Sequence, residues 1–210
     1  MTILALEFSS PHRSVALADG GGSILAEAAA ATDGRGTDAF GLIEQALAKA
    51  GLPRTAIEAV AVGLGPGSYT GIRAAIAVAQ GWHLACGVHL IGVSSIASLA
   101  AQAQAQKICG RVNLVVDAQR GEFYRAIWDI TATHRQELSP LEIIPATEIL
   151  AQKDTGEVYA GPEMERRLFP SAATIARLAV GSWGSGLEER LEPIYLRATS
   201  FVKAPAIRIV

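Results

Sequence analysis

The stretch Gly-Leu-Gly-Pro-Gly-Ser-Tyr-Thr-Gly-Ile-Arg at positions 63 to 73 constrains the fold of this 210-residue chain more than any other. It follows the apolar run Ile57 to Val62 and opens an alanine-rich segment ending at Cys86. A strand therefore feeds a glycine elbow, and the elbow feeds a helix N-terminus. Gly63, Gly65 and Gly67 admit a positive φ or a close neighbour, Pro66 stiffens the turn, and Ser68 or Thr70 can cap the first helical amides. Free amides at such a terminus attract anions. The elbow is not a phosphate-binding P-loop, because no Lys-Ser or Lys-Thr pair follows it, and Ser68 stands where a dinucleotide fingerprint needs its third glycine. Spacing leaves both an architectural turn and a ligand-binding one open.

Around the elbow the pattern reads as an α/β chain. Ile3 to Phe8, Ser14 to Ala18 and Ser23 to Ala28 are separated by turn residues and predict an antiparallel meander. Beyond the polar stretch Thr32 to Thr37, the residues Phe40, Ile43, Ala46, Leu47 and Ala50 recur at helical spacing and predict a helix from Thr37 to Ala50, with Gly51 as a stop. Then follow a strand (57 to 62), a helix (70 to 86), a short strand (89 to 91) and a helix (94 to 106), which suits a mixed sheet flanked by helices. Arg111 to Val116 and Glu122 to Trp128, around the turn 117 to 121, look like the opening hairpin repeated. Pro140, Pro145, Pro162 and Pro170 are expected to break the remainder into short elements, with a helix near 172 to 180. The tail 192 to 197 is expected to return to the first domain, and 198 to 210 to be poorly held.

Composition narrows the classes. Half the residues are hydrophobic and the formal net charge is -2, so there is no basic excess for gripping a phosphate backbone, and a stand-alone nucleic-acid binder is not expected. Arg166-Arg167 is the one local basic pair of note, and reads as a solvated face. Cys86 and Cys109 are expected as small buried residues in a reducing cytoplasm. Arg73, Gln80 and His83 interrupt the apolar segment 70 to 92 below the length of a membrane span, about 20 residues.

The elbow, its Ala-rich helix with Gln80-Gly81, and Gly92-Val93-Ser94-Ser95 resemble the TsaB-type family of bacterial tRNA threonylcarbamoyladenosine synthesis. Ile3 to Leu6 with Ser9, Ala50-Gly51-Leu52, the run Asp117 to Tyr124 and Pro193-Ile194-Tyr195-Leu196-Arg197 agree with it in order. The resemblance implies a ribonuclease H-like fold of the actin and hexokinase superfamily: a mixed sheet with flanking helices and two subdomains, the second reduced. On that basis residues 1-108 form the first domain, 109-197 the second with a C-terminal return, and 198-210 a tail.

Active phosphotransferases of the superfamily need an acid on the first strand and another at the start of the second domain, and Glu7 and Asp117 stand near those places. The family pattern has Asp-Thr-Ser after the first run, whereas Glu7-Phe8-Ser9 stands here, so both acids are read as hydrogen-bonded structural carboxylates. His12, His83, His89 and His134 include no pair four apart, as the metal-holding helix of the catalytic relatives requires, so no metal is expected. Ser68 does not sit in a nucleophile elbow.

Gly71, Ala75 and Ala79 repeat every four residues, with Ala74, Ala77 and Gly81 beside them, and let another backbone approach. That backbone is either the chain's own sheet or a partner. The resemblance implies a partner: the catalytic threonylcarbamoyl transferase paralogue, met through Phe40, Ile43, Leu47, Gly71, Ala75, Ala79 and His83, with homodimerisation through the same face in isolation. A small P-loop-type ATPase joins that complex, and tRNA is reached only through it. The chain has no cofactor of its own in this reading, with ATP or ADP at the complex interface near Gly65, Gly67, Ser68, Thr70 and Arg73. The function implied is non-catalytic support of threonylcarbamoyl transfer to N6 of adenosine 37 in tRNAs reading ANN codons. An ATP-dependent kinase or metal-dependent peptidase of the same superfamily, or a self-associating scaffold, are the competing classes.

Overall fold

The computed structural model describes residues 1-32, 38-151, 157-182 and 191-197. The opening meander is β1 (Thr2–Glu7), β2 (His12–Asp19) and β3 (Ile24–Ala31), paired antiparallel with Leu4 opposite Leu17 and Glu7 opposite Ser14. Helix α1 (Ala39–Ala50) begins at Asp38, whose carboxylate accepts the Gly41 amide, and ends at Gly51 in the left-handed region. Thr37, the expected start, and the rest of 33-37 lie outside the described residues. Strand β4 (Ala59–Gly63) pairs parallel with β1, and after α2 (Tyr69–Cys86) the strand β5 (His89–Val93) pairs parallel with β4. The sheet order is β3-β2-β1-β4-β5.

After α3 (Ser95–Ala105) the same plan is repeated. β6 (Gly110–Gln119), β7 (Glu122–Ile130) and β8 (Arg135–Pro145) form a second antiparallel meander, then come α4 (Ala146–Ala151), β9 (Val158–Gly161) and β10 (Arg166–Arg167). Its order is β8-β7-β6-β9-β10, with β6 parallel to β9 and β9 parallel to β10 as in the first sheet. The reduction lies in element length: β10 has two residues and α4 six.

Strand alternation assigns the faces. Leu4 and Leu6 of β1 point into a core with Leu42, Ile43, Ala46 and Leu47 of α1 and Ile72, Ala75, Ile76 and Ala79 of α2. Ile3 and Ala5 point the other way, onto α5 (Ala172–Ser182). There Ala172, Ala173, Ala176 and Ala179 meet Ala5, Ala16, Ala18, Ala59 and Ala61, so the helix can sit close to the sheet. With both faces covered, the central strands can be apolar throughout.

The helices are exchanged between the sheets. α3 follows the first sheet but packs Ile96, Leu99, Ala100 and Ala103 into the second core, while α5 follows the second sheet and closes the first. The boundary expected at 108 therefore does not coincide with the two cores.

Two expectations are corrected. Pro145 ends β8 as expected, but Pro140 does not break the chain, because β8 is an edge strand whose outer side needs no amide, and the pairing of β7 with β8 slips where Pro140 stands. Cys86 and Cys109 are exposed free thiols, one ending α2 and the other just before β6, since both fall at element ends where the chain turns outward. The tail 198-210 lies outside the described residues.

Candidate functional site

The elbow packs against the end of β1. Ser68 N donates to Ser9 O at 2.7 Å, and Ser68 Oγ accepts the Gly71 amide at 3.3 Å to cap α2. A Cβ added at Gly67 would overlap the Ser9 carbonyl, and one at Gly71 the Phe8 carbonyl, each well inside 3.0 Å. The spacing left the purpose of these glycines open, and the geometry answers it: they let the elbow lie directly on residues 7 to 9.

Glu7 is completely buried behind that contact. Its Oε1 accepts Ser9 N at 2.7 Å and its Oε2 accepts Ser95 Oγ at 2.8 Å, while Ser95 Oγ accepts Gly65 N at 3.1 Å. A Cβ at Gly63 would overlap Oε2. Burial pushes the carboxyl above its usual range, and the bonds from Ser9 and Ser95 oppose the shift. Glu7 is thus a clip joining β1, the elbow and α3.

Between the domains lies a cleft of about 1220 Å³. On the first-domain wall, Arg13 directs Nη2 to Ser68 Oγ at 3.4 Å, and burial lowers its pKa. On the opposite wall Asp117 accepts the Gln119 amide at 2.7 Å and Gln119 Nε2 at 2.8 Å. Glu163 beside it is pushed up by burial and then by the charge of Asp117. Asp117, Gly67 and Ser68 line the cleft and Glu7 does not, so the two acids do not face a common ligand there. Nothing in the sequence marked Arg13 or Glu163 for this place; a charged residue in the apolar run of β2 was the available signal for Arg13.

The residues expected at an interface separate into two sets. Ile43, Leu47, Gly71, Ala75 and Ala79 are buried in this chain's own first domain, which corrects their assignment to a partner: they fall on the helix sides that the sheet covers. Phe40 remains outside, 67% exposed. His83 is half-buried, with Nδ1 2.8 Å from Val88 O at the end of α2. The open side of α2 carries Thr70, Arg73, Ala77, Gln80, Gly81 and Leu84, the last 85% exposed. Of the expected nucleotide-junction set, Gly67 and Ser68 are in the cleft, Gly65 is buried against Ile72, and Thr70 and Arg73 are on this outer side. Arg73 bonds the Tyr69 hydroxyl and lies over its ring. Among the described residues, no three His, Cys, Asp or Glu side chains could share a metal ion, and no helix is long and apolar enough to cross a membrane.

The family model described as TsaD, tRNA N6-adenosine threonylcarbamoyltransferase, matches residues 37–175. The tRNA threonylcarbamoyladenosine biosynthesis protein TsaB of Escherichia coli (strain K12) is 31% identical over 182 residues, covering 74% of this chain and 78% of that protein. The protein of the same name from Haemophilus influenzae is 32% identical over 125 residues, 59% of this chain and 52% of that one. YeaZ from Pseudomonas aeruginosa superposes with a TM-score of 0.75 at 27% identity, over 93% of this chain and 99% of that chain. Two sheets of one plan, tied by exchanged helices around a cleft, make this a two-domain protein of the actin-like, ribonuclease H-like class. Within that class the chain belongs to the TsaB family.

Proposed function

We propose that this chain is a non-catalytic subunit that supports threonylcarbamoyl transfer to N6 of adenosine 37 of tRNAs reading ANN codons. It docks on the catalytic transferase paralogue through the outer side of α2 and the exposed Phe40 of α1. The observation that carries the docking is that outer side: Ala77, Gly81 and Leu84 stand open in a row on a helix whose other side is sealed. Gly81 is the telling residue. A Cβ there would meet nothing within 4 Å, so the fold gives no reason for a mid-helix glycine that costs about 1 kcal/mol against alanine. A helix from outside gives one, because small residues let backbones approach.

The sealed Glu7 supports the non-catalytic part, since its carboxylate has no exposed surface from which to hold a metal or a phosphate. The transferase chemistry then belongs to the partner, a small P-loop ATPase completes the complex, and tRNA is gripped by the assembly in the cytoplasm. ATP or ADP belongs at the junction near Thr70 and Arg73. A second copy of this chain competes for the same side when the partner is absent.

The test is depletion of the protein followed by mass spectrometry of bulk tRNA nucleosides. Loss of threonylcarbamoyladenosine is expected; an unchanged level overturns the reading. Turnover of ATP by the purified chain, abolished by Glu7→Gln or Asp117→Asn, would establish the competing kinase class.

A further inference from the structure

Residues 191-197 touch four parts of the molecule. Leu191 is buried in the first core, and Ile194 N donates to Leu64 O of the elbow at 2.9 Å. The Tyr195 ring stacks on Tyr69 of α2, centroids 5.1 Å apart and 25° between planes. Arg197 then reaches the second domain, donating Nη2 to Ala118 O at 3.2 Å and pairing with Glu122. Ala118 and Glu122 flank the turn between β6 and β7, and Tyr195 and Arg197 both line the interdomain cleft.

We propose that this segment is a clasp that sets the opening of the cleft. Among the described residues the chain crosses between the domains ahead of α3 and ahead of α5, and there the domains also meet through α3 against α5 and through Ser95 on Glu7, which makes that region the pivot about which the cleft can open. The 191-197 segment adds a tie at the cleft itself and restrains that opening. The two ends of the tie are unequal. Its root is a buried leucine with a backbone bond, whereas its tip is an ion pair with side chains 29% and 42% exposed, so the joint that yields is Arg197 on Glu122. Between them stands Tyr195 on Tyr69, and Tyr69 is itself exposed at the head of α2. Anything that presses on Tyr69 from outside reaches the clasp.

The test uses the full chain without partners, so it stands or falls independently of the docking reading. Amide exchange is followed by mass spectrometry and overall dimensions by small-angle X-ray scattering. Arg197→Glu is expected to speed exchange at 118-122 by about fivefold, the effect of losing an exposed pair, and to raise the radius of gyration. Tyr195→Ala, which breaks the tie at a different contact, is expected to do the same. Combining Arg197→Glu with Glu122→Arg is expected to bring both readings back toward the unmodified chain. The proposal is overturned if the two single variants match the unmodified chain, if exchange rises with no change in scattering, or if the reversed pair stays as loose as Arg197→Glu alone.

Discussion

A carboxyl group without exposed surface depends on its neighbours to stabilise its charge, and for Glu7 the hydrogen bonds from Ser9 and Ser95 only partly offset its desolvation. Burial holds its folded pKa above the ordinary carboxylate range, so the folded chain holds this proton more tightly than the unfolded chain does. The resulting stabilisation is present at low pH and is lost as pH rises through the folded pKa. Urea midpoints of the unmodified chain and Glu7→Gln, compared from about pH 4 to pH 8, are expected to diverge in that sense, with the variant gaining relative stability at the upper end. Gly63→Ala pushes a methyl group into the same carboxylate and is expected to cost about 2 kcal/mol in denaturant unfolding. The sequence made the structural role of Glu7 readable, since Glu7 and Phe8 depart from the Asp-Thr-Ser pattern of the family, with a longer acid and an apolar residue in place of a hydroxyl. It could not show the partners, because Ser95 and Gly63 meet Glu7 only once three elements have packed.

At the scale of the element, α2 was legible in its limits and illegible in its orientation. Its start at the Ser68 cap and its end at Gly87 follow from local chemistry. Its two small-residue rows, Gly71-Ala75-Ala79 and Ala74-Ala77-Gly81, have the same chemical character, and only the position of the sheet decides which row is inside. The contrast is testable. Ala75→Glu places a charge in the first core and is expected to destabilise the chain by on the order of 4 kcal/mol, whereas Ala77→Glu is expected to melt like the unmodified protein and lose co-purification with the transferase. Gly81→Ala is expected to raise monomer stability by about 1 kcal/mol in thermal or urea unfolding. Strand β8 was hidden for a related reason: proline forbids a strand only where both sides are paired, and being at an edge is a property of the sheet.

For the whole molecule, the repeated hairpin around 117 to 121 announced the duplication, and the second sheet repeats the first strand for strand. The exchange of α3 and α5 was not announced. Both helices are apolar enough to serve either sheet, and sequence order favours the wrong one. A net charge of -2 leaves the isolated chain with little pull on a polyanion, so filter binding at physiological salt is expected to show tRNA retention only with the transferase present.

Because α5 floors a sheet whose five strands all precede residue 94, synthesis delivers the first domain in the wrong order. A nascent chain that has cleared the ribosome through β5 still carries an uncovered greasy sheet, and it must wait some eighty further residues (from Val93 to Ala172) for the helix that covers it to begin. Residues 1-108 made alone are accordingly expected to bind hydrophobic dyes and lack a cooperative melt. In the cell this sheet is the part of the protein with the longest need of a chaperone.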